Sequence, residues 1–152
     1  MTLKATVQQD LQNAMRRQDA VRIATLRLLL AAITQKEIAR RKKAEGLDDA
    51  EGLSVVRAEV KRRIDAAEAF LAAGRQERAL QEEAERQVLA SYLPSELHDD
   101  ELRRIAQDAF IAVGASGPAD FGKVMREAVL RVAGRADGSR IADAVKHAIS
   151  AH

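Results

Sequence analysis

Apolar residues recur along this chain at steps of three and four, the period of an α-helix rather than the alternation of a strand. Leu3, Val7, Leu11 and Ala14 fall on one stripe, so a first helix is expected at the start of the chain. Asp19 interrupts that stripe, and its carboxylate can cap the free amides of a new turn. A second helix is therefore expected over Ala20 to about Ala44, with Ile23, Leu26, Leu30 and Ile33 facing inward; one bent helix is the alternative. Gly46, Asp48, Asp49 and Gly52 make a polar junction before Leu53, Val56, Val60, Ile64 and Leu71 resume helical spacing, which Gly74 ends. A fourth segment from about Arg75 carries Leu80, Ala84, Val88 and Tyr92 as the stripe that closes an antiparallel bundle.

Tyr92-Leu93-Pro94-Ser95 then breaks the pattern, because proline has no amide to donate and biases the residue before it away from helix. Beyond it, Leu102, Ile105 and Ala109 mark a fifth helix that Gly114 should stop, with Ser116-Gly117-Pro118 as a turn. A sixth starts around Pro118 to Phe121 and holds Val124, Ala128 and Val132; a seventh holds Ile141, Val145 and Ile149. Gly134 can leave the sixth, and Asp137 or Ser139 can cap the seventh. The expected fold is all-α: residues 1–94 as an N-terminal antiparallel helical bundle, and residues 95–152 as a smaller C-terminal three-helix lobe.

Composition narrows the function. The chain has 152 residues, no Cys, no Trp and 3% aromatics, which removes disulfides, thiol chemistry and an aromatic stacking surface. No apolar run approaches the length of a membrane span, and the cytosol is the expected compartment. The formal charge of +2 hides a segregation, since residues 1–45 carry ten Lys or Arg against four Asp or Glu, and residues 121–152 carry six against three. In the first basic region, Arg40, Arg41, Lys42 and Lys43 lie at the end of the second helix and can pair with phosphate, or simply complement the negative end of the helix dipole. In the second, Lys123, Arg126, Arg131, Arg135 and Arg140 surround the last two helices and can grip an RNA backbone, or stand as solvated charge.

Little else suggests chemistry. His98, His147 and His152 lack the spacing of a helical zinc motif, and no metal site, cofactor pattern or catalytic residue is expected. Gly134-Arg135-Ala136-Asp137-Gly138 is not a P-loop. Asp65 with Glu68 and Glu82 with Glu85 read as an ordinary charged face. Phe70, Leu71, Phe110 and Phe121 are expected in the cores, and Tyr92 either braces the lobe junction or belongs to a ligand surface.

Four segments in order carry a family resemblance: Arg22-Ile23-Ala24-Thr25-Leu26-Arg27-Leu28-Leu29 with Glu37 downstream, Ala90-Ser91-Tyr92-Leu93-Pro94, Gly122-Lys123-Val124-Met125, and Gly134 to Gly138. Together they resemble the YqeY family of GatB/YqeY domain-containing proteins, related to the tail of the B subunit of glutamine-dependent tRNA amidotransferase. The resemblance implies a helical bundle followed by a smaller helical lobe, with tRNA and the amidotransferase machinery as partners. It makes Lys123, Arg126, Arg135 and Arg140 the candidate contacts and supplies no catalytic residue. The family commonly has glycine where Arg126 stands, so a ligand position is not transferred there. Three readings follow: a noncatalytic tRNA-binding or amidotransferase-associated module; a carbon-nitrogen ligase in its own right, with glutamine as amido donor; or a protein adapter that binds no RNA.

Overall fold

A computed structural model describes all 152 residues. It is all-α, with α1 (Leu3–Arg16), α2 (Ala20–Ala39), α3 (Asp49–Ala72), α4 (Gln76–Ala90), α5 (Asp99–Ala112), α6 (Phe121–Val132) and α7 (Gly138–Ser150), plus a 3-10 turn at Pro118–Asp120. No helix is long and apolar enough to cross a membrane. The chain divides into two compact units, Met1–Leu93 and Pro94–His152.

In the first unit, α1 packs on α2, and α2 on both α3 and α4. Val7, Ala14, Leu26, Leu29, Ile33, Val55, Val56 and Leu89 form its buried core, with Leu3, Leu11, Ile23, Leu30 and Val60 partly buried against it. Asp19 caps α2 as expected, its Oδ1 accepting from the Arg22 amide at 3.1 Å. Helix α2 nevertheless ends about five residues short of the expected Ala44, because Arg41 adopts a left-handed conformation (φ 56°) without being glycine. The Lys42 amide then donates to the Glu37 carbonyl at 2.8 Å and closes the helix end. Asp49 and Gly52 lie inside α3 rather than before it, since Asp48 is the cap: its Oδ1 accepts from the Glu51 amide, and Glu51 reaches back to the Asp48 amide. Gly52 is buried where Leu3 crosses it, and an added Cβ would meet Leu3 Cδ2 at 3.0 Å.

The distal halves of α3 and α4 correct the expected stripes. Ile64, Leu71 and Leu80 are exposed, while the inward position on α4 is Ala79. Between these helices, Arg63 pairs with Glu85 at 2.9 Å, Glu59 at 3.5 Å and Glu82 at 3.7 Å, so charge fills space where an apolar seam was expected. Phe70 is only partly buried and lies under the Arg78 guanidinium, 5.1 Å from its ring centre. Tyr92 belongs to this unit: it packs against the core and donates to Asp10 Oδ2 at 2.6 Å, tying the chain after α4 to α1.

In the second unit α5, α6 and α7 pack on one another. Leu102, Ala106, Ala109 and Phe110 from α5 meet Val124, Ala128 and Val132 from α6 and Ile141, Ala144, Val145, Ala148 and Ile149 from α7. Here the apolar stripes read from the sequence are the buried ones. Gly114 (φ 68°) ends α5. At the end of α6 both Ala133 (φ 52°) and Gly134 (φ 81°) turn left-handed, and Asp137 Oδ1 caps α7 by accepting from the Arg140 amide at 2.9 Å. Phe121 is partly buried, and His152 stacks on Phe110 with ring centres 4.5 Å apart.

Candidate nucleic-acid interface

The nine cations singled out by the sequence fall into two groups with different electrostatic surroundings. Arg40 to Lys43 occupy the turn that leaves α2, just before the capped start of α3. That proximity brings Glu51 among them. Lys42 Nζ lies 2.7 Å from Glu51 Oε1, and Arg40 Nε lies 3.7 Å from Oε2, an oxygen that accepts no hydrogen bond. Arg40 and Lys42 are therefore partly neutralised within the protein, while Arg41 and Lys43 are exposed and enter no ion pair.

The Lys42 ammonium, followed by the Asp48 backbone, holds the Glu51 carboxyl down from 4.5 to about 2. Glu51 raises Lys42 in return. A carboxylate with a lowered folded-state pKa adds stability that is fully present above its unfolded value and disappears as pH falls through the folded one. The gap in melting temperature between the parent and Glu51→Gln should thus be open near neutral pH and close as pH falls from about 4.5 to about 2. A pH series of thermal melts checks this, and a gap that persists at about pH 2 contradicts it.

The second group divides more sharply. Arg140 faces the segment that precedes α5: its Nη2 donates to the Leu97 carbonyl and to Asp99 Oδ1, each at 2.8 Å, and Nη1 lies 3.6 Å from Glu96. The hydrogen bond with Asp99 lowers that carboxyl and raises Arg140. Arg135 Nε donates to the Ser95 carbonyl at 3.0 Å, while the Leu97 amide donates to the Arg135 carbonyl at 2.8 Å. These two arginines staple residues 95–99 onto the α6–α7 turn, and Leu97 and Ala136 are buried beside them. Arg131 is exposed and pairs with Glu127 one turn earlier at 2.9 Å, a surface contact worth only a few tenths of a kcal/mol.

Lys123 and Arg126 differ from the other three. Both are exposed on the first turns of α6 and enter no ion pair. Arg126 folds back over the exposed Gly122, with Nη1 3.8 Å from where a Cβ on that glycine would stand. Lys123 acts at longer range on Asp120, whose carboxyl is lowered first by the Ser116 amide and then by Lys123. The sequence did not reveal that Glu51, Glu96 and Asp99 engage three of the nine cations, Arg40, Lys42 and Arg140. The acidic start of α5 was the one available signal, and its partner Arg140 lies 41 residues away.

Replacing Arg140 by alanine would leave the buried Leu97 carbonyl without that donor. Of its contacts, the one to exposed Asp99 contributes little and the charge-assisted bond to the carbonyl contributes most. The expected loss is about 1–2 kcal/mol in urea unfolding of the full chain, followed by the C-terminal unit. A loss below about 0.3 kcal/mol would contradict a structural role.

Of the four motif segments, the first runs along α2, the second lies at the end of α4, the third opens α6, and the fourth turns from α6 into α7. The model of the Yqey-like protein family matches residues 4–149. The chain belongs to the YqeY family. Among curated proteins none matches it. The match spans both units, so the two are parts of one family module.

Proposed function

We propose that this YqeY-family protein is a noncatalytic accessory module that holds tRNA for the amidotransferase machinery, with the reacting groups supplied by a partner. The observation that carries this reading is the pair Lys123 and Arg126: two exposed cations, one turn apart, neither of them in an ion pair. Cations free of internal partners are the ones whose pairing with phosphate costs least, and contacts of this kind give affinity without base sequence. Arg131 can add a contact by releasing Glu127. Arg135 and Arg140 act chiefly by holding the turn in place. Arg41 and Lys43, with Arg40 and Lys42 beside them, are proposed as a second phosphate-contacting group.

The test is a fluorescence-anisotropy titration of folded tRNA with the purified full chain, together with an assay for ammonia released from glutamine. If about four phosphates are contacted, affinity should fall on the order of 100-fold between about 50 mM and about 200 mM salt. No ammonia should appear. Glutamine-dependent amidation by the chain alone would favour the ligase reading, and salt-independent or absent tRNA binding would favour the adapter.

A further inference from the structure

A second polar site lies in the N-terminal unit, where α1 turns into α2. A cavity of about 500 Å³ opens there, lined by Asp10, Asn13, Arg17, Asp19 and Arg22. Its size is within the range of small-ligand sites, about 300–1,000 Å³, but its wall is charged where such sites are mostly apolar. The turn that forms it is tightly made: Gln18 takes a left-handed conformation (φ 56°), and the Asp19 amide donates back to the Ala14 carbonyl at 3.0 Å.

The hydrogen-bonding capacity of the wall is unevenly used. Asp19 caps α2 through Oδ1. Asp10 Oδ2 is held by the Tyr92 hydroxyl, which leaves Oδ1 as an acceptor. Burial, and then the Asp10 hydrogen bond, raise Tyr92 well above its usual value, with Arg22 opposing, so the hydroxyl keeps the proton it donates. Asn13 Oδ1 accepts from Arg16, which leaves its amide NH₂ available. Arg17 and Arg22 enter no ion pair, so two planar five-donor forks remain unengaged. Arg22 and Asp10 thus line one cavity, and Tyr92, from a different motif segment than Arg22, holds Asp10 through its hydroxyl.

We propose that this cavity binds a ribose phosphate, with the phosphate oxygens between the Arg17 and Arg22 guanidiniums and a sugar hydroxyl donating to the Tyr92-held carboxylate of Asp10. Guanidinium forks match phosphate oxygens in geometry as well as charge. A carboxylate with one free oxygen is the natural acceptor for a ribose hydroxyl, and it repels a bare anion that brings no donor. The site is separate from the cations of α6, and the ribose phosphate can be a free mononucleotide or a nucleotide within an RNA strand.

Calorimetric titration of the full chain with adenosine 5′-monophosphate, its 2′,3′-dideoxy counterpart, inorganic phosphate and a short 5′-phosphorylated oligoribonucleotide separates these sources. Arg22→Gln and Arg17→Gln alter side chains outside the core, and Asp10→Asn keeps the cavity's shape. The oligonucleotide arm uses the Lys123→Gln/Arg126→Gln background, so that failure here is distinct from failure at α6. The expected result is mononucleotide binding at least about tenfold weaker in Arg22→Gln, with a similar loss for the dideoxy ligand. Binding of the oligonucleotide alone, with the same dependence on Arg22, supports the proposal with a strand as the source. Binding of neither ligand, equal binding of inorganic phosphate, or affinity unaffected by Arg22→Gln overturns it.

Discussion

Lys123→Gln combined with Arg126→Gln is expected to weaken tRNA binding on the order of tenfold while leaving the melting temperature within about a degree of the parent. Both halves of that expectation come from the surroundings of the two side chains. Neither enters an ion pair, and neither is buried, so their removal leaves no orphaned carboxylate and no cavity. Val124 and Ala128, which hold α6 against the core, are untouched. Arg140→Ala is the informative contrast, because there a loss of stability should precede any loss of RNA affinity. If instead Lys123→Gln/Arg126→Gln unfolds the C-terminal unit, or leaves tRNA affinity unchanged in an intact fold, α6 is not the contact surface.

The largest stability effect is expected at Lys4. Glu37 is 2% exposed at the end of α2, and Lys4 Nζ reaches its Oε1 at 2.8 Å from the first turn of α1. Lys4→Met strips a buried carboxylate of its counter-charge, and breaking such a pair from one side costs about 3 kcal/mol or more. Lys4 keeps some access to water, at 35% exposure, which places the expected cost at the lower end of that range, about 3 kcal/mol. Lys4→Met combined with Glu37→Leu should recover most of it, since an apolar side chain of similar volume needs no partner. Urea unfolding of the two variants decides this. A loss below about 0.5 kcal/mol for Lys4→Met would mean that the pair acts as a surface contact.

The second unit was more legible than the first, for a physical reason. Its helices carry one apolar stripe each, such as Val124, Ala128 and Val132, and bury it against two neighbours that do the same. In the first unit, α2 has apolar residues on several sides: Leu26, Leu29 and Ile33 point inward while Val21, Leu28 and Ile38 are exposed, so spacing alone left Leu29 unassigned. The α3–α4 contact misled because small residues and the Arg63 ion pairs replace the large apolar residues that a stripe search follows. The end of α2 was misplaced because a left-handed arginine gives no signal comparable to glycine.

The candidate sites follow the same division. A run such as Arg40 to Lys43 is visible in sequence, but whether a cation is available depends on acids that folding brings near. Glu51 and Asp99 are remote enough in sequence that no local pattern pairs them with Lys42 and Arg140. The cavity between α1 and α2 was missed because no local pattern marks Arg17 and Arg22 as one site with Asp10, and Tyr92 lies 82 residues from Asp10.

Whether the exposed α6 cations grip RNA phosphates is decided by the slope of log affinity against log salt for tRNA, measured side by side for the parent and Lys123→Gln/Arg126→Gln. Each lost phosphate contact removes about 0.7–0.9 from that slope, so the variant's line should be shallower by about 1.4–1.8. Parallel lines, or a parent line with no slope, would mean that these two side chains do not contact phosphate.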